Sequence, residues 1–411
     1  MKILLISIIY PFYGVLSYFK ENKDQHFSFP LLVFFVFFGL FFVVPETGDA
    51  SRHFITFQLY IDMSWGQFVK EVIEVISLKS RNHTDIYIIS SNYFVSRFSS
   101  SPSFYFGFQA LVYGTVFIYL FKLILKNVDY KWDLISGLIF LTLFLVLSIA
   151  KIQYVRFYLA VMFFLYGCFL FLLENRKYFW LYFIFAILVH ISLLIPASLF
   201  FVFIGFRNNL TLWFSIAILA YFSSSFMSHY SDNILTLSSD FASESSVNNL
   251  AKGYVGNEDY ILERSNRFET RNWFTKYSIY MGNALSIALI FIFVLFKFDK
   301  INLNKKLIYI FTFSLFIFSL AQFGYAFASV GERFMQIFIF SGIYFLYLLY
   351  PYLTEKLKKM LFIPLFPFLL LFTAMALREV IVVANLFTLI GSPIYIPFVI
   401  QDPISIYDFM F

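Results

Sequence analysis

Charge is scarce in this chain: Asp, Glu, Lys and Arg make up 13% of 411 residues, about half the roughly 25% of an ordinary soluble domain. That excludes a water-soluble fold, which would need far more charge to cover its surface. Cysteine is nearly absent. Cys168 stands alone in an apolar run, so neither a disulfide framework nor a thiolate metal site can be built within one chain. Also missing are a Walker lysine loop, a dinucleotide glycine pattern followed by an acidic residue, and an H-E-x-x-H pair. ATP-driven transport by this chain alone is therefore not indicated. No acidic cluster points to a divalent metal, the best pair being Glu258 with Asp259. Apolar and polar residues do not alternate as in transmembrane barrel strands. No internal repeat is visible. Lys and Arg exceed Asp and Glu by only 30 to 24, and nucleic acid is not an expected partner.

What the chain has is apolar and aromatic mass. Hydrophobic residues are 61% and aromatic residues 23% of it, with 62 phenylalanines and a mean hydropathy of +0.79. Such a surface faces lipid, and length then counts membrane spans. Apolar runs fall at 3–19, 28–44, 103–125, 132–149, 157–173, 178–205, 211–227, 277–296, 307–328, 334–352, 358–377 and 380–400. Helices are their default, because lipid offers no partner to an unpaired backbone group. The expected fold is an all-α, polytopic integral membrane protein of about 11–13 transmembrane helices in a single membrane domain, 1–411. The first run lacks a small-x-small cleavage site and is expected to be a retained span.

Short basic connections occur at Lys20 with Lys23, at Lys122, Lys126 and Lys131, at Arg176 with Lys177, at Lys297 to Lys306 and at Lys356 to Lys359. The positive-inside rule makes all of them cytoplasmic. Parity then requires the 28-residue run 178–205 to turn back, since one continuous helix would send the connection near Lys300 outside. His190 is the expected turn, dividing the run into two half-membrane helices of the kind tolerated where they line a cavity. The N-terminus lies outside in this topology. So do 45–102, 150–156, 228–276 and a short turn around Glu332 and Arg333. Within 45–102, Phe68, Val69, Val72, Ile73 and Ile76 share one helical face, which predicts an interfacial helix from Trp65 to Leu78.

Ionisable residues at outer helix ends are costly and hence candidates for function. Asp49 and Arg52 follow the second span, where an ordinary ion-paired loop is the plainer alternative. Lys151, Gln153, Tyr154 and Arg156 lie between two spans. Arg156 either snorkels or aims its charge at an anion in a cavity. His190 is either a packing residue or a group that exchanges protons near neutral pH. Glu332 and Arg333 form a structural pair or part of a site, and Arg378 either ends a helix or binds substrate. Arg264, Arg267 and Arg271 share one helical face, solvated or turned to phosphate.

The order Gly48-Asp49-x-x-Arg52, Arg156-x-x-Leu159-Ala160, His190-x-Ser192 and Glu332-Arg333-Phe334 resembles the EpsG-like branch of Wzy-type polysaccharide polymerases over nearly the whole chain. It departs in having His53 where a tyrosine is expected. The resemblance implies a GT-C-like architecture in the bacterial inner membrane with the active site facing outward. It implies a metal-independent, inverting glycosyltransferase without cofactors. Its substrates would be undecaprenyl-pyrophosphate-linked oligosaccharides, and a chain-length regulator is a further expected partner. His190 and Arg156 are then the expected catalytic residues, with Asp49, Arg52, Gln153, Tyr154, Arg271, Glu332, Arg333 and Arg378 binding substrate. An O-antigen ligase, kept open by His229 at the edge of 228–276, or another lipid-linked glycosyltransferase, and a flippase or other transporter are the alternatives.

Overall fold

The computed structural model describes residues 2–21, 28–46, 48–77, 79, 85–127, 133–227, 272, 276–298, 301, 303–325, 328–392 and 404–410. These residues form helices and no strand. Six helical segments are long and apolar enough to cross a membrane, and four further apolar helices are shorter. The protein is an all-α polytopic membrane protein.

The first apolar run is divided at Pro11 into α1 (Lys2–Ile9) and α2 (Pro11–Glu21). Proline there opens α2 without removing an intrahelical bond. α3 (Ser28–Leu40) packs along α7 (Pro102–Leu125). Small residues allow the close approach: a Cβ on Gly39 would collide with the Ala110 Cβ and the Phe106 carbonyl. At 24 residues, α7 is about 36 Å long, enough to span a hydrocarbon core of about 30 Å. α8 (Leu134–Val146) leads through a 3-10 turn, Ile149–Tyr154, into α9 (Val155–Glu174). Asn175, left-handed at φ 56°, ends α9, and the Asn175 and Arg176 amides donate to the Phe171 and Leu170 carbonyls at 3.0 and 3.1 Å.

The run 178–205 turns back at His190. α10 (Trp180–Val189) stops there, His190 is extended (φ −155°, ψ 113°), and α11 (Leu194–Phe206) follows a short 3-10 turn. Ring contacts pair the two arms about His190: Phe179 with Phe201 at 5.8 Å and Phe183 with Phe200 at 5.3 Å. The arms hold 10 and 13 residues, about 15 and 20 Å, each shorter than a full crossing. A continuous helix would also put Pro196 in its interior, with its ring against the carbonyl of Ser192, at a cost of about 3 kcal/mol. The break moves Pro196 into the first turn of α11, where the missing N–H costs nothing.

α12 (Leu210–Met227), α13 (Tyr277–Lys297), α14 (Lys305–Gly324), α15 (Ala328–Leu349) and α16 (Glu355–Val383) complete the bundle. Side chains sort to its two ends. At one end Lys126 pairs with Glu174 at 2.7 Å, Lys306 donates to Asn127 at 3.0 Å, and Arg207 lies over the rings of Phe171 and Tyr309. The Tyr350 hydroxyl donates to Asp133 at this end as well. At the other end lie the 3-10 turn before α9, the His190 break and the last turns of α16.

Three expectations are corrected. The turn around Glu332 and Arg333 is helix, for α15 begins at Ala328. Arg378 does not end a helix: α16 runs on to Val383 and takes in the start of the run 380–400. The region 45–102 holds more than the one expected helix: beside α5 (Trp65–Ile76), which lies where that helix was expected, it folds into α4 (Asp49–Gln58) and α6 (Ile86–Ser96). The expected apolar face of α5 is split. Phe68 is buried with Val75 among Tyr60, Ile88, Ile89 and Tyr93, Val69 and Val72 pack against that cluster, and Ile73 and Ile76 are exposed. Of 228–276, which includes Arg264, Arg267, Arg271, His229 and the pair Glu258 and Asp259, all but Asn272 and Lys276 lies outside the described residues.

Candidate functional site

The break after α10 leaves His190 without helical backbone and brings its ring against α6, α9 and α15. Asp85, at the N-cap position of α6, does not cap its own helix. Its carboxylate crosses to the break instead. Oδ1 lies 3.2 Å from His190 Nδ1 and accepts the Ile191 amide at 3.2 Å, while Oδ2 accepts from Arg156 Nη1 at 3.0 Å. Arg333 Nη1 stands 3.4 Å from His190 Nε2. Phe157 fills the space between these groups, its ring edge-on to His190 at 6.0 Å and beneath the Arg333 guanidinium at 5.7 Å.

The electrostatics follow from burial and pairing. The Asp85 side chain is fully buried, whereas that of Arg156 is 33% exposed. Burial opposes ionisation of Asp85, but His190, Arg156 and the Ile191 amide outweigh it and hold the carboxyl below the usual carboxylate range. His53 on α4 is also buried. Burial, reinforced by the Arg156 charge, pushes it down to about 4, so this imidazole is neutral at physiological pH. The site thus gathers two arginines, one compensated carboxylate and two histidines.

A second ionic cluster lies at the same end. Lys151, buried in the 3-10 turn, pairs with Glu379 near the end of α16, and the Tyr277 hydroxyl at the start of α13 donates to Glu379 at 2.5 Å. Lys151 also sits over the Tyr158 ring at 5.1 Å. This cluster ties the 3-10 turn, α9, α13 and α16 together beside the His190 group.

Of the residues singled out from the sequence, His190, Arg156 and Arg333 meet. Asp49 and Arg52 pair with each other at 3.7 Å on α4, Arg52 being 77% exposed, on the helix that carries His53. Gln153 and Tyr154 lie on the 3-10 turn, with the Tyr154 ring exposed and 6.4 Å from Tyr158. Glu332 adjoins Arg333 on α15. Arg378 is exposed on α16, and it is its neighbour Glu379 that enters the ionic network. Sequence reasoning missed Asp85, Glu379 and Tyr277. The signal for Asp85 was a carboxylate directly before the apolar stretch Ile86-Tyr-Ile-Ile, the mark of a helix start. Among the described residues no group of three or more His, Cys, Asp or Glu is placed to hold a metal ion.

The arrangement can hold an anion on Arg156 and Arg333 and can move a proton at His190 Nε2. No family model, curated protein or solved structure matches this chain.

Proposed function

We propose that this protein polymerises undecaprenyl-pyrophosphate-linked oligosaccharide repeat units into O-antigen or exopolysaccharide at the outer face of the bacterial inner membrane. The reaction is glycosyl transfer from one lipid-linked glycan to a sugar hydroxyl of another. One observation carries the reading: a histidine on a helix break, its Nδ1 against a buried carboxylate and its Nε2 beside an arginine, with a second, partly exposed arginine on the same carboxylate. A pyrophosphate leaving group requires preorganised positive charge, which Arg156 and Arg333 supply. A hydroxyl acceptor requires a base within hydrogen-bond reach, and His190 Nε2 is that base.

In the resting arrangement His190 Nε2 faces Arg333 Nη1 at 3.4 Å. An incoming hydroxyl takes this place, and the guanidinium turns to the phosphate. His190 removes the hydroxyl proton as the oxygen attacks the anomeric carbon and the bond to the pyrophosphate breaks. Attack opposite the leaving group inverts the anomeric configuration. Tyr154 offers an exposed ring beside the site for a sugar face, and Asp49 and Arg52 offer polar contacts at its edge.

Surface glycan after deletion of the gene tests the reading. A single capped repeat unit without a ladder is the expected result. Complete loss of repeats marks a flippase, and free polymer accumulating on undecaprenyl pyrophosphate marks a ligase.

A further inference from the structure

We propose that Asp85 is a positioning residue for His190, fixing the imidazole with its proton on Nδ1 so that the Nε2 lone pair is presented to the acceptor hydroxyl. The proposal rests on the polymerase reading for its rate effects, but its structural part stands on geometry alone. One fully buried carboxylate contacts three elements: the break residue His190, the Ile191 amide that opens the following turn, and Arg156 at the start of α9. An ionised carboxylate only accepts hydrogen bonds. The ring nitrogen 3.2 Å from Oδ1 must therefore be the one that carries hydrogen. The lone pair then falls on Nε2, the nitrogen facing Arg333. Asp85 leaves its own helix uncapped to make these contacts, and the contacts are spent on the break.

The same carboxylate serves the reaction. The proton leaving the acceptor oxygen goes to Nε2 as the oxygen–carbon bond forms. The carbon–oxygen bond to pyrophosphate breaks with its electron pair on phosphate, and the imidazolium so formed lies against Asp85. Among the described residues, other charged or titratable groups that act on the pair include Arg156 from α9, Arg333 from α15 and His53 from α4, with Asp49 and Arg52 beside His53. Asp85 is the group placed opposite Nδ1 at hydrogen-bond distance.

The test uses the full chain in nanodiscs with nitrogen-15 histidine labelling, the His190 signals being assigned by their loss in His190→Gln. Wild-type His190 is expected as the single neutral Nδ1–H tautomer. In Asp85→Asn, whose amide can also donate, that tautomer should no longer be the only one. The same variant should lose about a hundredfold in kcat and keep KM within about threefold. A residue that merely staples the break would lower activity and leave the tautomer unchanged. An Nε2–H tautomer in the wild type overturns the proposal, whether or not any variant folds. So does Asp85→Asn with an unchanged tautomer. Failure of the wild type to polymerise anything would instead remove the polymerase reading and leave the tautomer result standing.

Discussion

Arg156 shows how much of a residue's role lies in the geometry of its charge. Its guanidinium spans from the buried Asp85 to the open side of the site, a span that an ammonium on a lysine stem does not reproduce. Arg156→Lys is expected to lose tenfold to about a hundredfold in activity, the worth of one charge-assisted hydrogen bond of about 1.5–3 kcal/mol. Near-normal glycan ladders from a well-expressed variant would leave Arg156 as a snorkelling residue only. His53 makes a prediction about pH. Its folded pKa of about 4 lies below an unfolded value of about 6.5, so the unfolded chain binds the proton first. Stability should fall as pH drops from about 6.5 towards 4, and His53→Gln should flatten that interval in thermal melts. Asp85 adds a loss of the same sign, since its depressed carboxyl stabilises the fold at higher pH and ceases to as pH falls through its folded value. Arg156, His190 and Arg333 were legible in the sequence because charge is rare in apolar runs and stands out. Asp85, Glu379 and Tyr277 were not, because each acts through a partner between 71 and 228 positions away, and single-chain spacing carries no trace of such pairing.

Among the elements, the α10–α11 hairpin is the one that makes the site. Charge parity located its turn in the sequence, and Pro196 supplies a local reason that a continuous helix would be costly. Reporter fusions at Arg176 and at Arg207 should report the same compartment, expected to be the cytoplasm, and a fusion at Ser245 the opposite one. Opposite signals from the first two would mean that the hairpin does not form in the membrane. The α3–α7 contact is a second testable element. Gly39→Leu should drive the two helices apart and lower expression or thermal stability markedly, because the added side chain meets backbone as well as Ala110. The middle of the chain was readable because apolar runs map directly to helices. The boundaries near Glu332 and Arg378 were misplaced for the opposite reason, since a charged residue interrupts an apolar run without interrupting the helix. Within 45–102 the helix at α5 was legible from its apolar face, whereas α4 and α6 were hidden by their mixed composition, which a pattern tuned to lipid-facing runs passes over.

At the scale of the molecule, the described charges separate into two ends, with Lys126, Glu174 and Lys306 at one and the His190 group and the Lys151–Glu379 pair at the other. On the proposed orientation the first end would face an anionic cytoplasmic leaflet, and the second would take the phosphorylated substrate. On the proposed mechanism, in which arginines meet the developing charge, polymerisation should proceed at an undiminished rate in EDTA. Loss of activity restored by magnesium or manganese would point to a metal at Asp49 or within 228–276. The most direct measurement is reconstitution of the purified protein in liposomes with undecaprenyl-pyrophosphate-linked repeat units, followed by electrophoresis of the glycan. The wild type should build a ladder, and His190→Gln, which keeps a hydrogen bond but cannot take the proton, should fall at least about a hundredfold short of it. A wild-type ladder from His190→Gln, or no polymer from the wild type, would contradict the account.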